Sequence, residues 1–301
     1  MTAETQEISV MNSEEDRSDH EVMLRAARSD NFSKKDLNAI VTAKDELSPR
    51  QMIIRIAANG WDLPYFEPGQ FAVLGLLGSA PRCQWSEPEF SPSNPDKLIR
   101  RAYSIASSSL VHEFMEFYVG LVSTGALTPR LFALNLGDPL WLSPRISGIF
   151  TFDEVPADKN IVLIATGTGL APYMSMLSTL LNCGSKRLFA VLHGAYHSWD
   201  LGYRSELLTL QHLCKNFSYF ATIDRPEEEP VPWSGPVGFV QDLWQKGVIQ
   251  NKWGFKPTPE NSHVFLCGNP VMIEEAEEML IEEDFLPHSH NQPGQIHVER
   301  Y

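Results

Sequence analysis

A chain of 301 residues with a formal net charge of −14 and 43% hydrophobic residues is long enough to bury two cores. The acidity excludes a protein that coats nucleic acid or anionic membrane by bulk attraction, and an acidic partner would need a local cluster of cations. Four cysteines, Cys83, Cys183, Cys214 and Cys267, lie far apart without CxxC spacing, which excludes a zinc ribbon or a cysteine-held iron–sulfur cluster and suits a reducing compartment.

Residues 1–36 are polar and acidic and read as an N-terminal extension without a packed core, with a short helix through Glu21–Arg28 as the alternative. No apolar run fits a signal peptide or a membrane span, so a cytoplasmic location is expected. From Asn38 the pattern changes to short alternating runs: NAIVTAKDEL, QMIIRIAA, QFAVLGLLG, RAYSIAS, EFMEFYVGLV and DPLWLSPRI. About six such strands, punctuated by turn signals and lacking a long helical period, predict an antiparallel barrel or sandwich over 37–156. The stretch 79–97, rich in proline and polar residues, cannot continue a strand and is predicted to be a long surface loop.

After Pro156 the period changes again. KNIVLIATG, RLFAVLHGA, NFSYFATID and HVFLCGN are continuous apolar runs, and the helical patterns PYMSMLSTLL, RSELLTLQHLC and PVMIEEAEEML follow the first, second and fourth. Apolar strands alternating with helices predict a parallel α/β sheet over 157–301. The chain closes with GQIHVERY, a further strand.

Three places carry chemistry. RRAYSIASSS, from Arg100, is a strand with two arginines, a tyrosine and four serines where packing alone would favour valine or isoleucine. The first βα turn of the second half, Gly167-Thr168-Gly169-Leu-Ala-Pro172, offers close backbone approach and the amides of a helix start, which suit a phosphate. Its spacing is not GxGxxG, and an ordinary tight strand–helix turn would also use Gly167. Cys267 ends an apolar run at the sheet edge where open α/β folds place ligands, with Asn269 able to cap the helix that begins at Pro270. A small buried core residue is the other reading of Cys267.

With RAYS, GTGLAP, CGNP and VERY in that order, the chain resembles the ferredoxin/flavodoxin–NADP+ reductases of bacterial type from about Asn38 to Tyr301. The extension and the 79–97 loop are outside the resemblance. It implies an antiparallel FAD-binding β-barrel followed by a parallel α/β domain that binds NADP(H). It assigns Tyr103 to the flavin ring, Arg101 to the FAD diphosphate and Ser104 to the neighbourhood of flavin N5. The segment Gly125-Ala126-Leu127-Thr128 is assigned to the diphosphate through backbone amides and the threonine hydroxyl. Gly167, Thr168 and Gly169 fall to NADP(H), Cys267 to the nicotinamide, and Glu299 and Tyr301 to the terminal Glu-x-Tyr. In a flat strand Tyr103 and Ser104 point to opposite faces, so both can meet one flavin only if the strand twists or ends there.

The 2′-phosphate candidates are Tyr196, His197, Tyr203 and Arg204 after the second apolar run, and Arg225 after the third; Tyr196 stands where the family often has arginine. The implied partner is a ferredoxin or flavodoxin, met transiently by a monomer through Lys34, Lys35, Lys97, Arg100 and Arg130. Two other readings remain open, an NADH-dependent flavin reductase serving an oxygenase or haem protein, and a non-catalytic module of the same fold.

Overall fold

The computed structural model describes residues 32–289 and 291–300; residues 1–31 of the acidic extension, with the alternative helix at Glu21–Arg28, and Tyr301 lie outside the described residues, while the extension's end is packed, with Phe32 buried against Leu77 and Trp141. All six strands expected in the first half are present: β1 (Ala39–Ser48), β2 (Gln51–Ala58), β3 (Phe71–Leu77), β4 (Leu98–Ser104), β5 (Met115–Gly120) and β6 (Pro139–Leu142). They form one antiparallel sheet in the order β4-β3-β6-β1-β2-β5. A bridge between Ile105 and Phe117 joins the two edge strands and closes the sheet into a barrel. Alternation explains the packing: Met52, Ile54 and Ile56 of β2 point inward with Ala72, Leu74 and Leu76 of β3, and burial of such side chains is the main stabilising term.

The second half is a parallel sheet of β7 (Asn160–Thr166), β8 (Phe189–Ala195), β9 (Phe217–Ile223), β10 (Ser262–Cys267) and β11 (Ile296–Glu299), in the order β11-β10-β7-β8-β9. After the short α1 (Thr128–Phe132) of the barrel half, the helices are α2 (Ala171–Leu180), α3 (Arg204–Leu213), α4 (Val240–Gln245), α5 (Val248–Trp253) and α6 (Pro270–Ile281). The chain leaves β7 for β8 on one side and later returns to β10 on the other. That reversal of strand order opens a crevice at the carboxyl ends of β7 and β10, the usual ligand position in open parallel sheets. Helices α4 and α5 were not legible in the sequence. Each has six residues, too few to show a helical period, with the left-handed Gly247 (φ 66°) between them.

Two expectations are corrected here. Tyr203, a candidate for a 2′-phosphate, is buried at φ 58°, and its hydroxyl donates to Glu116 Oε1 at 2.7 Å. It packs edge-on against Tyr118 and fastens the parallel half to the barrel, where Arg55 holds the other Glu116 oxygen at 2.6 Å. Cys183 and Cys214 are not scattered thiols but a disulfide with a Cα–Cα distance of 4.7 Å. Helices α2 and α3 pack into the same core cluster, so residues 31 apart in sequence meet where one follows α2 and the other caps α3.

The amino ends of β10 and β11 carry a histidine cluster. His263 Nδ1 lies 3.0 Å from His297 Nε2, and His288 stacks on His297 with ring centroids 4.4 Å apart. Burial holds His263 down at about 4 and His297 at about 3, each lowered further by His288, with Arg187 and Lys159 also acting on His263. Above the ordinary histidine value both folded and unfolded chains are neutral there. As pH falls below about 6.5 the unfolded chain takes up protons that the folded one refuses, so stability declines until the folded values are reached. Denaturant midpoints should therefore drop between pH 6.5 and 4, by on the order of 2 kcal/mol for this coupled pair after solvent screening. His263→Gln should flatten that slope.

Candidate active site

Strand β4 ends at Ser104, the position where the sequence required a break. Up to Ser104 it pairs with β3 in the register Phe71↔Ser104 and Ala72↔Tyr103; Ile105 then crosses to Phe117 of β5. Tyr103 is half-buried against the barrel core, and desolvation pushes its phenol well above its ordinary value. Arg101 is exposed and donates to the Arg100 carbonyl at 2.7 Å. Ser104 Oγ donates to Glu299 Oε2 at 2.8 Å. Cys267 Sγ donates to the same oxygen at 3.7 Å, because the parallel β10–β11 register sets Cys267 beside Glu299. Three of the residues predicted for the reaction thus meet on one carboxylate oxygen, brought together from both halves of the chain. The fourth, Tyr301, lies outside the described residues.

Beside this cluster a cavity of about 480 Å³ opens at the switch point between β7 and β10. Its floor is made by the turns after these strands, including Thr166, Gly167, Thr168, Gly268 and Asn269. Thr166 Oγ1 accepts the Asn269 N–H at 2.8 Å and ties the turns together, while Asn269 Oδ1 caps α6 by accepting the Val271 N–H at 2.8 Å. The two glycines of the GTG turn differ in purpose. Gly167 has φ 52°, and a Cβ there would meet nothing nearer than Gln51 Nε2 at 3.8 Å. The space above it is open for a ligand. Gly169 faces inward, where a Cβ would lie 2.3 Å from the Cys267 carbonyl oxygen. Its role is close packing of two βα turns.

The cations predicted for the nucleotide phosphate stand elsewhere. Arg204 is exposed and lies over the Trp233 ring at 4.8 Å. Arg225 stacks on Tyr196 at 4.5 Å and pairs with Glu228 at 3.7 Å. Of these two residues and their ring partners, only Tyr196 lines the cavity. His197 is held between Asp200 and Glu228, whose hydrogen bonds raise its basicity against the effect of burial. Among the described residues, the only basic side chain lining the cavity is that of Arg50, which sequence reasoning missed. It comes from the tight β1–β2 hairpin, where a lone exposed arginine gives no sequence signal until the fold sets it over the parallel sheet. Three carboxylates, Asp200, Asp224 and Glu275, share the lining.

The turn 122–128 precedes α1. Thr128 Oγ1 is engaged locally, accepting the Val122 N–H at 3.0 Å and donating to the Val122 carbonyl at 3.3 Å. Among the described residues, the N–H groups of Ala126, Leu127 and Thr128 meet no acceptor, leaving three successive donors at this turn. Arg130, expected in a docking patch, is only 5% exposed and is ion-paired with Glu89, so it is not available at the surface. Lys34, Lys35, Lys97 and Arg100 are exposed. Packing of Phe32 and Leu37 with Leu77 and Leu98 carries the two N-terminal lysines to the β4 side of the barrel.

A family model for the oxidoreductase NAD-binding domain matches residues 163–278, the stretch that holds both glycine turns. Among solved structures, a ferredoxin NADP+ reductase from Neisseria gonorrhoeae with bound FAD and NADP has a TM-score of 0.73 and 22% identity. The match covers 87% of this chain and 97% of that one, and it shows the shared fold. The flavodoxin/ferredoxin–NADP reductase of Buchnera aphidicola subsp. Baizongia pistaciae is 32% identical over 207 residues, 68% of this chain and 81% of that protein. This chain belongs to the flavodoxin/ferredoxin–NADP reductase family. It is an oxidoreductase. The Escherichia coli (strain K12) member is 30% identical over 213 residues, covering 70% of this reductase and 77% of the relative. No helix among the described residues of this reductase is long and apolar enough to cross a membrane.

Proposed function

We propose that this reductase moves electrons between NADP(H) and a ferredoxin or flavodoxin, with 37–156 as its FAD domain and 157–301 as its nucleotide domain. The observation that carries the reading is the convergence of Ser104, Cys267 and Glu299, with Gly268, next to Cys267, lining the switch-point cavity. Bound FAD and NADP(H) supply the redox chemistry, a hydride exchanged between nicotinamide C4 and flavin N5 and single electrons passed to the protein partner.

The residues present fit both groups. Arg101 offers an exposed guanidinium for a diphosphate, Tyr103 an aromatic face for a ring, and the 126–128 amides a row of donors. The opening above Gly167 leaves backbone within reach of a dinucleotide phosphate. Ser104 and Cys267 both donate to one oxygen of Glu299, which holds the hydroxyl and thiol protons toward that carboxylate. Lys34, Lys35, Lys97 and Arg100 form the docking surface for an acidic electron carrier, so turnover with the carrier should fall with added salt.

Arg50 is the cation for the dinucleotide diphosphate in this reading. Arg50→Ala should weaken NADP+ and NAD+ binding together, by about tenfold or more for one lost charge-assisted contact, in equilibrium titrations. Unchanged affinity for both would remove Arg50 from the site.

One observation favours the NADH-dependent flavin reductase as a second reading. Asp200 and Asp224 line the cavity where Arg204 and Arg225 do not. Anaerobic titration with NADPH and with NADH, following the visible flavin band, separates the two. Readier bleaching by NADPH fits the reductase of ferredoxin or flavodoxin, and equal bleaching by NADH fits the other. A protein that takes up no FAD refutes both.

A further inference from the structure

We propose that the loop between β3 and β4, residues 79–97, is a clamp that fixes the 122–128 turn in its FAD-binding shape, with Arg82 and Glu89 as positioning residues. This rests on the FAD reading of that turn.

The loop contains neither helix nor strand, and a loop of this length is costly to order. Its inward contacts converge on one place. Arg82 Nη1 donates to the Gly125 carbonyl at 2.7 Å and to Glu89 Oε1 at 2.8 Å. Its Nη2 donates to the Ser123 carbonyl at 2.9 Å and to the loop's own Glu87 carbonyl at 2.6 Å. Arg130 donates to the same Glu89 oxygen, to the Ala126 carbonyl, and at 2.6 Å to the Gly78 carbonyl at the loop's root. The Glu87 N–H reaches the Ser123 carbonyl at 3.0 Å, Ser123 Oγ returns to Glu87 Oε1 at 2.7 Å, and the Cys83 N–H reaches the Pro129 carbonyl at 2.9 Å.

Three carbonyls of the turn, those of Ser123, Gly125 and Ala126, are thus drawn to guanidinium groups, while the amides of Ala126, Leu127 and Thr128 keep their hydrogens. A turn fixed in this way is an anion-binding row of N–H groups. Glu89 is the keystone. Placed between two arginines and accepting the Ser93 N–H at 2.6 Å, its carboxyl is held down at about 2 by Arg130 first, so it stays ionised and keeps the like-charged guanidiniums together. Neither Arg82 nor Glu89 has to touch the cofactor. They act by holding the turn that does.

The test is the rate at which FAD leaves diluted holoprotein, followed by the rise of flavin fluorescence, in Glu89→Gln, Arg82→Gln and the comparison variant Arg101→Ala. The clamp predicts release at least about tenfold faster in both loop variants, the loss of a hydrogen bond to a charged group. The visible flavin spectrum and KM for NADPH should stay at wild-type values, a split that general unfolding would not produce. Wild-type release in both loop variants, with fast release in Arg101→Ala, overturns the clamp and leaves the FAD reading standing. Unmutated protein that never takes up FAD overturns the FAD reading, and the clamp with it. Should the loop variants fail to fold, hydrogen exchange on unmutated protein decides the matter. FAD must then protect amides in both 82–93 and 122–130, and protection of 122–130 alone overturns the proposal.

Discussion

Glu299→Gln should lower the rate of flavin reduction by NADPH by about 10²-fold, with Ser104→Ala close behind, while FAD content and NADP+ affinity change little. Both side chains act through one atom. Glu299 Oε2 accepts from Ser104 Oγ at 2.8 Å and from Cys267 Sγ at 3.7 Å, and glutamine removes the charge that holds both donors. Alanine at 104 deletes the shorter of these two contacts. Residues acting as one unit are not additive, so the double variant should be little slower than Glu299→Gln alone. Stopped-flow absorbance at the flavin band measures the step directly. Single variants within twofold of wild type would make the cluster a domain fastener and not part of the chemistry.

The sequence pattern exposed whatever is written locally. All six barrel strands showed because each is a short run bounded by turn signals, and four of the five parallel strands because each is a bounded apolar run. Cys267 was legible because it ends an apolar run, and the resemblance added Ser104 and Glu299. What stayed hidden depends on residues that meet only after folding. Arg50 is a hairpin residue of the barrel that reaches the switch-point cavity of the other half. Tyr203 looked like a polar loop residue, yet its hydroxyl serves Glu116, 87 positions away. Arg130 looked like a surface cation because nothing near it in sequence announces Glu89, the partner supplied by the 79–97 loop. The disulfide joins two helix ends through the packing of a shared core. Contact across sequence distance is the common cause: the fold decides which residues meet, and where a polar group is buried it needs a partner that composition does not name.

Gly169→Ala should be strongly damaging to the fold. Its Cβ would lie 2.3 Å from the Cys267 carbonyl oxygen, 2.6 Å from that carbonyl carbon and 2.7 Å from Gly268 Cα. These are backbone atoms, and Cys267 is locked in register with Ala165 of β7 and Glu299 of β11, so nothing flexible can yield. Overpacking of a rigid site costs about 1–3 kcal/mol, and this contact belongs at or above the upper end. The displaced turn would also carry Cys267 away from Glu299 and disturb the cavity floor. Gly167→Ala, two residues earlier, should fail differently. Its Cβ has room, so the fold bears only the cost of a left-handed alanine, roughly 1–2 kcal/mol. The methyl would instead project into the space above the turn and weaken NADP+ binding. Thermal midpoints and NADP+ titrations on the two variants should therefore separate, with stability lost mainly at Gly169 and affinity lost mainly at Gly167. The same loss of affinity without loss of stability in both would mean that Gly169, too, faces the ligand.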